Sequence, residues 1–469
     1  MKKLLLILLS FICLSCLNSN KKPNVVFILV DDLGWNDLGY AGSTFYETPN
    51  IDSLSRQSFE FNYAYSASPV CSPTRASIMT GKHPARINIT DWIPGLDPQN
   101  RPLLGPKDNH QLPKNEITIA EKMKELGYKT FYSGKWHLGS KGYYPENNGF
   151  DINVGGFEKG SPMGGYYSPY KNPKLSDGPN GEYLTDRLTS ESILIIEKNK
   201  DLPFFLFLSF YNVHTPIQPN LDYVEHFEQK LQKIDDKKPL VRKEGNAISL
   251  LNQVNPNYAS MVYSVDKNIG RLIDYLKKNN LYENSLIIFT SDNGGLSTLG
   301  KVISPTSVYP LRAGKGWLYE GGIRIPQLIK APGKSKNIKI DQLTVSYDLY
   351  PTILDYVGGS TELLIDGKSL MPVMEGKSEM GRNEIFWHFP HYHGSLWKPG
   401  SAIRYGNWKL IEHFENNKLE LFNLKNDEGE MTDLSLNYPE KTQDLLNRLN
   451  NLRKETNANT VSINKNYKP

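Results

Sequence analysis

Four short apolar runs, each ending in a cluster of polar side chains, restrict what this chain can fold into. The run at residues 25–30 leads into Asp31-Asp32, and the run at 128–132 leads into Ser133-Gly134-Lys135-Trp136-His137. The run at 204–210 leads into Asn212-Val213-His214, and the run at 286–290 into Ser291-Asp292-Asn293. Short runs rich in β-branched and aromatic residues read as strands buried on both faces. Helical periodicity lies between them, at residues 118–126 and 258–278. Alternation of helix with buried strand predicts an α/β fold: a large central, mostly parallel sheet flanked by helices. Ligands of such sheets bind beyond the carboxyl ends of the strands, so all four polar clusters are expected on one edge.

The 469 residues leave room for more than this sheet. After about residue 375 the pattern changes. Residues 403–411 and 419–424 alternate like half-buried antiparallel strands, with a turn at Glu415-Asn416-Asn417 and a terminal helix at 439–452. The expected organisation is a main domain at 23–375 and a smaller α+β subdomain carrying an antiparallel sheet at 376–469. A net charge of +4, without a long basic run, gives no reason to expect a nucleic-acid partner.

The first residues read as an export signal: a basic Met1-Lys2-Lys3 head and an apolar stretch to residue 14, too short to span a bilayer comfortably. Cys13-Leu14-Ser15-Cys16, with a small residue before Cys16 but Cys13 where the motif prefers Leu, resembles the lipobox of bacterial lipoproteins, which implies lipid attachment at Cys16, a polar tether at 17–22, and a periplasmic or outer-membrane-anchored protein. An ordinary cleaved signal with an incidental cysteine is the alternative; both export the chain. Of the three cysteines, Cys13 and Cys16 belong to this segment. Cys71 is then alone in the body, which has no internal disulfide despite an oxidising destination.

Asp31, Asp32, Asp292 and Asn293 are hard oxygen donors suited to Ca²⁺ or Mg²⁺ rather than zinc. Turn chemistry accounts for either pair alone; two pairs on one sheet edge favour a metal. The stretch Cys71-Ser72-Pro73-Thr74-Arg75-Ala76-Ser77-Ile78-Met79-Thr80-Gly81 resembles the signature of the type I sulfatases of the alkaline phosphatase superfamily, with Thr74 and Met79 as mild departures. The resemblance extends through residues 24–35, residues 133–139, His214-Thr215-Pro216, Gly314-Lys315-Gly316, and Leu421-Phe422-Asn423-Leu424 with Asp427 and Glu430.

It implies that a formylglycine-generating enzyme oxidises Cys71 to formylglycine (3-oxoalanine). It also implies one Ca²⁺ held by Asp31, Asp32, Asp292, Asn293 and residue 71. Arg75, Lys135 and Lys315 would neutralise the sulfate. In the implied reaction a hydroxyl of the hydrated aldehyde attacks sulfur, with Asp292 as base. His214 or Lys315 protonates the leaving alcohol, and His137 takes the proton that releases sulfate.

Residues 387–394 carry three histidines among aromatics, and are expected as a lid in which His391 and His393 contact sugar hydroxyls; a solvent loop is the plainer reading. The Gly/Pro-rich insertions at 96–110 and 155–170 are expected to shape specificity. The expected substrate is a sulfated polysaccharide or its oligosaccharides, from algal glycans or glycosaminoglycans. The alternatives are a phosphodiesterase or phosphonate hydrolase of the same superfamily, and a non-catalytic glycan-binding lipoprotein.

Overall fold

The computed structural model describes residues 21–334, 336–360, 364–377 and 380–468. The export signal, Cys16 and residues 17–20 of the expected tether lie outside the described residues. The central sheet has eight strands: β1 Asn24–Val30, β2 Phe59–Phe61, β3 Lys129–Gly134, β4 Ile152–Val154, β5 Phe204–Ser209, β6 Ser285–Ser291, β7 Gln327–Lys330 and β8 Ile338–Ile340. Their order is β8-β2-β7-β6-β1-β5-β3-β4. Only β7 runs against its neighbours; the pairings of β6, β1, β5, β3 and β4, and of β8 with β2, are parallel. The mostly parallel α/β sheet read from the sequence is therefore present, with β1 at its centre.

Side-chain alternation along β1 builds the layers. Val26, Ile28 and Val30 pack with Leu188 of α3 (Leu184–Asn199) and with Val262 and Ile269 of α4 (Pro256–Lys278). Val25, Phe27 and Leu29 pack on the other face with Ile78 of α1 (Cys71–Thr80), Met123 of α2 (Ile119–Glu125) and Ile353 of α5 (Leu349–Tyr356). Thr118 starts α2 with a reciprocal cap: its hydroxyl accepts from Glu121 N–H at 3.2 Å, and Glu121 accepts from Thr118 N–H at 2.7 Å. Phe27 and Phe207 stack across β1 and β5 with centroids 4.5 Å apart, and Tyr132 stacks on the same Phe207 at 5.3 Å.

The C-terminal sheet is an antiparallel meander, β9 Glu384–Phe389, β10 Gly400–Tyr405, β11 Trp408–His413 and β12 Lys418–Asn423, followed by α6 Pro439–Glu455. Two sequence expectations are corrected here. Residues 403–411 are not one strand, because Gly406 (φ 56°) turns the chain between β10 and β11. Residues 387–389 are not lid: Trp387, His388 and Phe389 belong to β9 and are buried. One face of this sheet (Ile385, Trp387, Ala402, Phe422) docks on Tyr65, Trp317 and Tyr319 of the main body. The other face (Phe386, Ile403, Leu410) takes Leu445 and Leu449 of α6.

Because Phe207 joins two strands by stacking, Phe207→Ala is expected to lower the unfolding free energy by about 3–5 kcal/mol in urea denaturation. A loss below about 1 kcal/mol would show that the stack does not hold these strands together.

Candidate active site

The carboxyl ends of β1, β3, β5 and β6 meet at one edge of the sheet, as the polar clusters predict, and α1 brings residue 71 to the same place. Val70 precedes α1 in an extended conformation, Pro73 occupies its first turn, where a missing N–H is tolerated, and Gly81 (φ 70°) ends it. Cys71 and Arg75, four residues apart, share one face of this fully buried helix. Among the described residues Cys71 is the free cysteine. Burial pushes its thiol up to about 11, so at neutral pH it is a protonated, weak nucleophile.

Around it six buried charges interlock. Arg75 donates to Asp292 Oδ2 through Nε at 2.8 Å, with Nη2 in ion-pair distance of the same oxygen at 2.8 Å, and through Nη1 to the Lys135 carbonyl (2.9 Å) and Ser209 Oγ (2.7 Å). Lys135 Nζ meets Asp31 Oδ2 at 2.6 Å. Lys315 Nζ meets both Asp32 oxygens, at 2.7 and 2.8 Å. His214 Nε2 lies 3.9 Å from Asp32 Oδ2. Asp292 Oδ1 accepts Asp32 N–H at 3.1 Å, and Asn293 donates to Asp32 Oδ1 at 2.8 Å.

Burial tends to raise all three carboxyls. For Asp32 this is outweighed by the ammonium groups of Lys315 and Lys135, and the group stays below the usual carboxylate range. For Asp292 it is outweighed by Arg75 and Lys135. Asp31 is raised, by burial and then by the neighbouring Asp292. His137 is lowered by burial and then by Lys135 and Arg75, and His214 is lowered to about 3 by burial and then Lys315, so both imidazoles are neutral.

Two buried oxygens of the site, Asp31 Oδ1 and Asn293 Oδ1, have no hydrogen-bond partner among the described residues. Asp31, Asp292 and Cys71 offer ligand atoms within 4.8 Å of one another, as do Asp32, Cys71 and His214. Orphaned oxygens from an amide and from the raised carboxyl of Asp31 fit a hard divalent cation such as Ca²⁺. The expected base role of Asp292 fits less well: both its oxygens are already hydrogen-bonded, which suits a fixed charge.

The site opens into a cleft of about 700 Å³ whose lining includes Cys71, His137, His214, Lys315 and His393. The two histidines of the expected lid separate here. His393 reaches the cleft, with Nδ1 on Ser395 Oγ at 2.7 Å. His391 does not face it: it is buried, and its nitrogens are taken by Asp97 (2.8 Å) and Thr90 Oγ1 (2.9 Å), so it pins the chain at 90–97 instead. The two insertions supply His110 and residues 158–161 to the walls. Trp92, 41 % exposed, also lines the cleft and was not read from the sequence, where nothing set it apart from a core aromatic.

Residues 23–359 match the family described as Sulfatase, and residues 313–456 match the family described as N-sulphoglucosamine sulphohydrolase, C-terminal. A protein of Formosa agariphila named Sulfatase is 30 % identical, over 92 % of this chain and 88 % of its own. The crystal structure of Ps i-CgsB in complex with k-i-k-neocarrahexaose is 29 % identical, with a TM-score of 0.74 over 92 % of this chain and 93 % of its own. That of BT4656 in complex with D-glucosamine-2-N,6-O-disulfate is 22 % identical and shares the fold, with a TM-score of 0.72 over 95 % of this chain and all of its own.

Removing one member of a buried ion network leaves an uncompensated charge. Lys135→Met, in protein kept free of divalent ions by a chelator, is expected to cost about 3–5 kcal/mol of stability. An unchanged urea midpoint would show that Asp31 does not depend on Lys135.

Proposed function

We propose that this chain, which belongs to the sulfatase family and is a sulfuric ester hydrolase, removes sulfate from a sulfated polysaccharide or its oligosaccharides using a formylglycine at position 71 and one Ca²⁺. The observation that carries the reading is the convergence of Arg75, Lys135 and Lys315 with three buried carboxylates around residue 71 at the floor of an open cleft. The signature at 71–81 supports the modification, made by a formylglycine-generating enzyme. The sugar in the complex of the 29 %-identical Ps i-CgsB supports a carbohydrate substrate. The sequence at 1–16 supports an exported protein, attached to a membrane through lipid on Cys16.

Asp31, Asp32, Asp292 and Asn293 would hold the cation beside residue 71. When present, the hydrated aldehyde supplies an oxygen nucleophile and the cation supplies positive charge. The remaining work falls to this chain's own side chains. Arg75 and Lys135 hold Asp292 ionised, oppose the rise of Asp31, and add positive charge where a sulfate's oxygens would lie. Lys315, protonated and hydrogen-bonded to Asp32, is the proton donor for the departing alcohol. His214 serves that role less well, because its Nδ1–H points to the Thr215 carbonyl (2.8 Å), which leaves Nε2 an acceptor.

The test is sulfate release from a panel of sulfated algal and glycosaminoglycan oligosaccharides, with 4-nitrophenyl sulfate and a phosphate diester alongside. Bound metal and the mass of the residue 71 peptide are measured on the same protein. Sulfate release from a glycan, calcium near one per chain, and loss of the thiol with gain of a hydrazide-reactive carbonyl are expected. Full activity with unmodified Cys71, or preference for the diester, would overturn the reading. Lys315→Ala is expected to slow sugar sulfates by about 10²–10⁴-fold more than the aryl sulfate, whose leaving group departs unprotonated. Equal losses would assign Lys315 to sulfate binding alone.

A further inference from the structure

His137 projects into the cleft from a left-handed backbone conformation, φ 60°, that a residue with a side chain rarely adopts. The contacts holding it there come from two neighbouring segments. Ser72 Oγ donates to the His137 carbonyl at 3.0 Å and accepts the N–H of Ile93 at 3.0 Å. The Ile93 carbonyl in turn meets His137 Nε2 at 2.5 Å. Gly160 lies against the imidazole: a Cβ there would stand 2.4 Å from Cε1 and 2.8 Å from Nδ1, so only glycine leaves the ring in place. Ser72 is fully buried and His137 nearly so.

A carbonyl oxygen only accepts, so Nε2 carries the hydrogen and Nδ1 of the neutral ring presents a lone pair. Nδ1 is buried and has no partner among the described residues. We propose that Ser72 is a positioning residue for His137. Its hydroxyl ties the first turn of α1 to both the His137 backbone and Ile93, and so fixes Nδ1 as the nitrogen left free to accept a proton in the cleft that residue 71 also lines. One helical turn then delivers the reactive side chain and the clamp that orients its base. The proton-accepting role rests on the sulfatase reading; the tautomer and its dependence on Ser72 do not.

Two measurements test this, both on full-length protein with residue 71 conversion checked by mass spectrometry. In long-range ¹H–¹⁵N spectra of ring-labelled protein, with the His137 signal assigned by its loss in His137→Ala, the wild type is expected as a single Nε2–H tautomer. Ser72→Ala and Gly160→Ala are expected to give mixed tautomers, and Ser72→Thr to restore the single one. A wild-type Nδ1–H signal, or an unchanged tautomer in Ser72→Ala, would overturn the proposal.

In kinetics, Ser72→Ala is expected to lower kcat about 10–100-fold with little change in KM, yet to cost less than about 3-fold in a His137→Ala background, because the two act as a unit. Equal losses in both backgrounds would make Ser72 merely structural. Should the tautomer change while no sulfate ester is cleaved by wild type, the positioning stands and the sulfatase reading falls.

Discussion

Asp31, Asp32 and Asp292 meet Arg75, Lys135 and Lys315 at a sheet edge from which water is nearly excluded. Each of these charges buried alone would cost several kcal/mol, and each is tolerable only because its opposites sit within hydrogen-bond reach. The architecture answers to that requirement. β1 lies at the centre of the sheet, between β5 and β6, so its end receives partners from both sides. Neighbouring side chains of a strand point to opposite faces, and two adjacent aspartates would diverge if the strand continued. Asp32 turns the chain at φ 59°, and its carboxylate engages Lys315 while Asp31 engages Lys135.

The C-terminal sheet takes part in this at one remove. Lys315 comes from a loop whose backbone is tied to Gly295 and Pro69, by Lys315 N–H to Gly295 O (2.9 Å) and Gly316 N–H to Pro69 O (2.8 Å). At 320 the same segment meets the smaller sheet: Glu320 pairs with Lys409 of β11 at 3.0 Å, and Lys409 also pairs with Glu430 at 2.7 Å, all buried. His393 closes over Gly316, where a Cβ would come within 2.0 Å of Nδ1. The smaller sheet thus holds in place the segment that carries Lys315 and contributes His393 to the cleft.

The central strands and the charged residues at their ends were legible because burial on both faces leaves an uninterrupted apolar run, and a strand end leaves an abrupt polar one. Cys71, Arg75 and Lys315 needed the motif; a single cation in a loop carries no period. What stayed hidden depends on contacts across the chain. Trp387 and His388 read as lid because aromatic and imidazole residues suit both a lid and a buried strand, and only pairing with β10 decides between them. His391 looked available for sugar because its partners Asp97 and Thr90 lie about 300 residues away. The hairpin at Gly406 was missed because apolar alternation continues across it. Gly160 gave no signal at all, since its importance lies in the imidazole that packs against it.

Under the proposed function, this charged edge directs attack at sulfur rather than at the carbon of the sugar. Hydrolysis of a sulfated oligosaccharide in ¹⁸O-enriched water, followed by mass spectrometry of both products, tests it directly. Cleavage of the S–O bond predicts one solvent oxygen in the released sulfate and none in the sugar hydroxyl. Solvent label in the sugar hydroxyl, with unlabelled sulfate, would mean that the C–O bond breaks and would contradict the account.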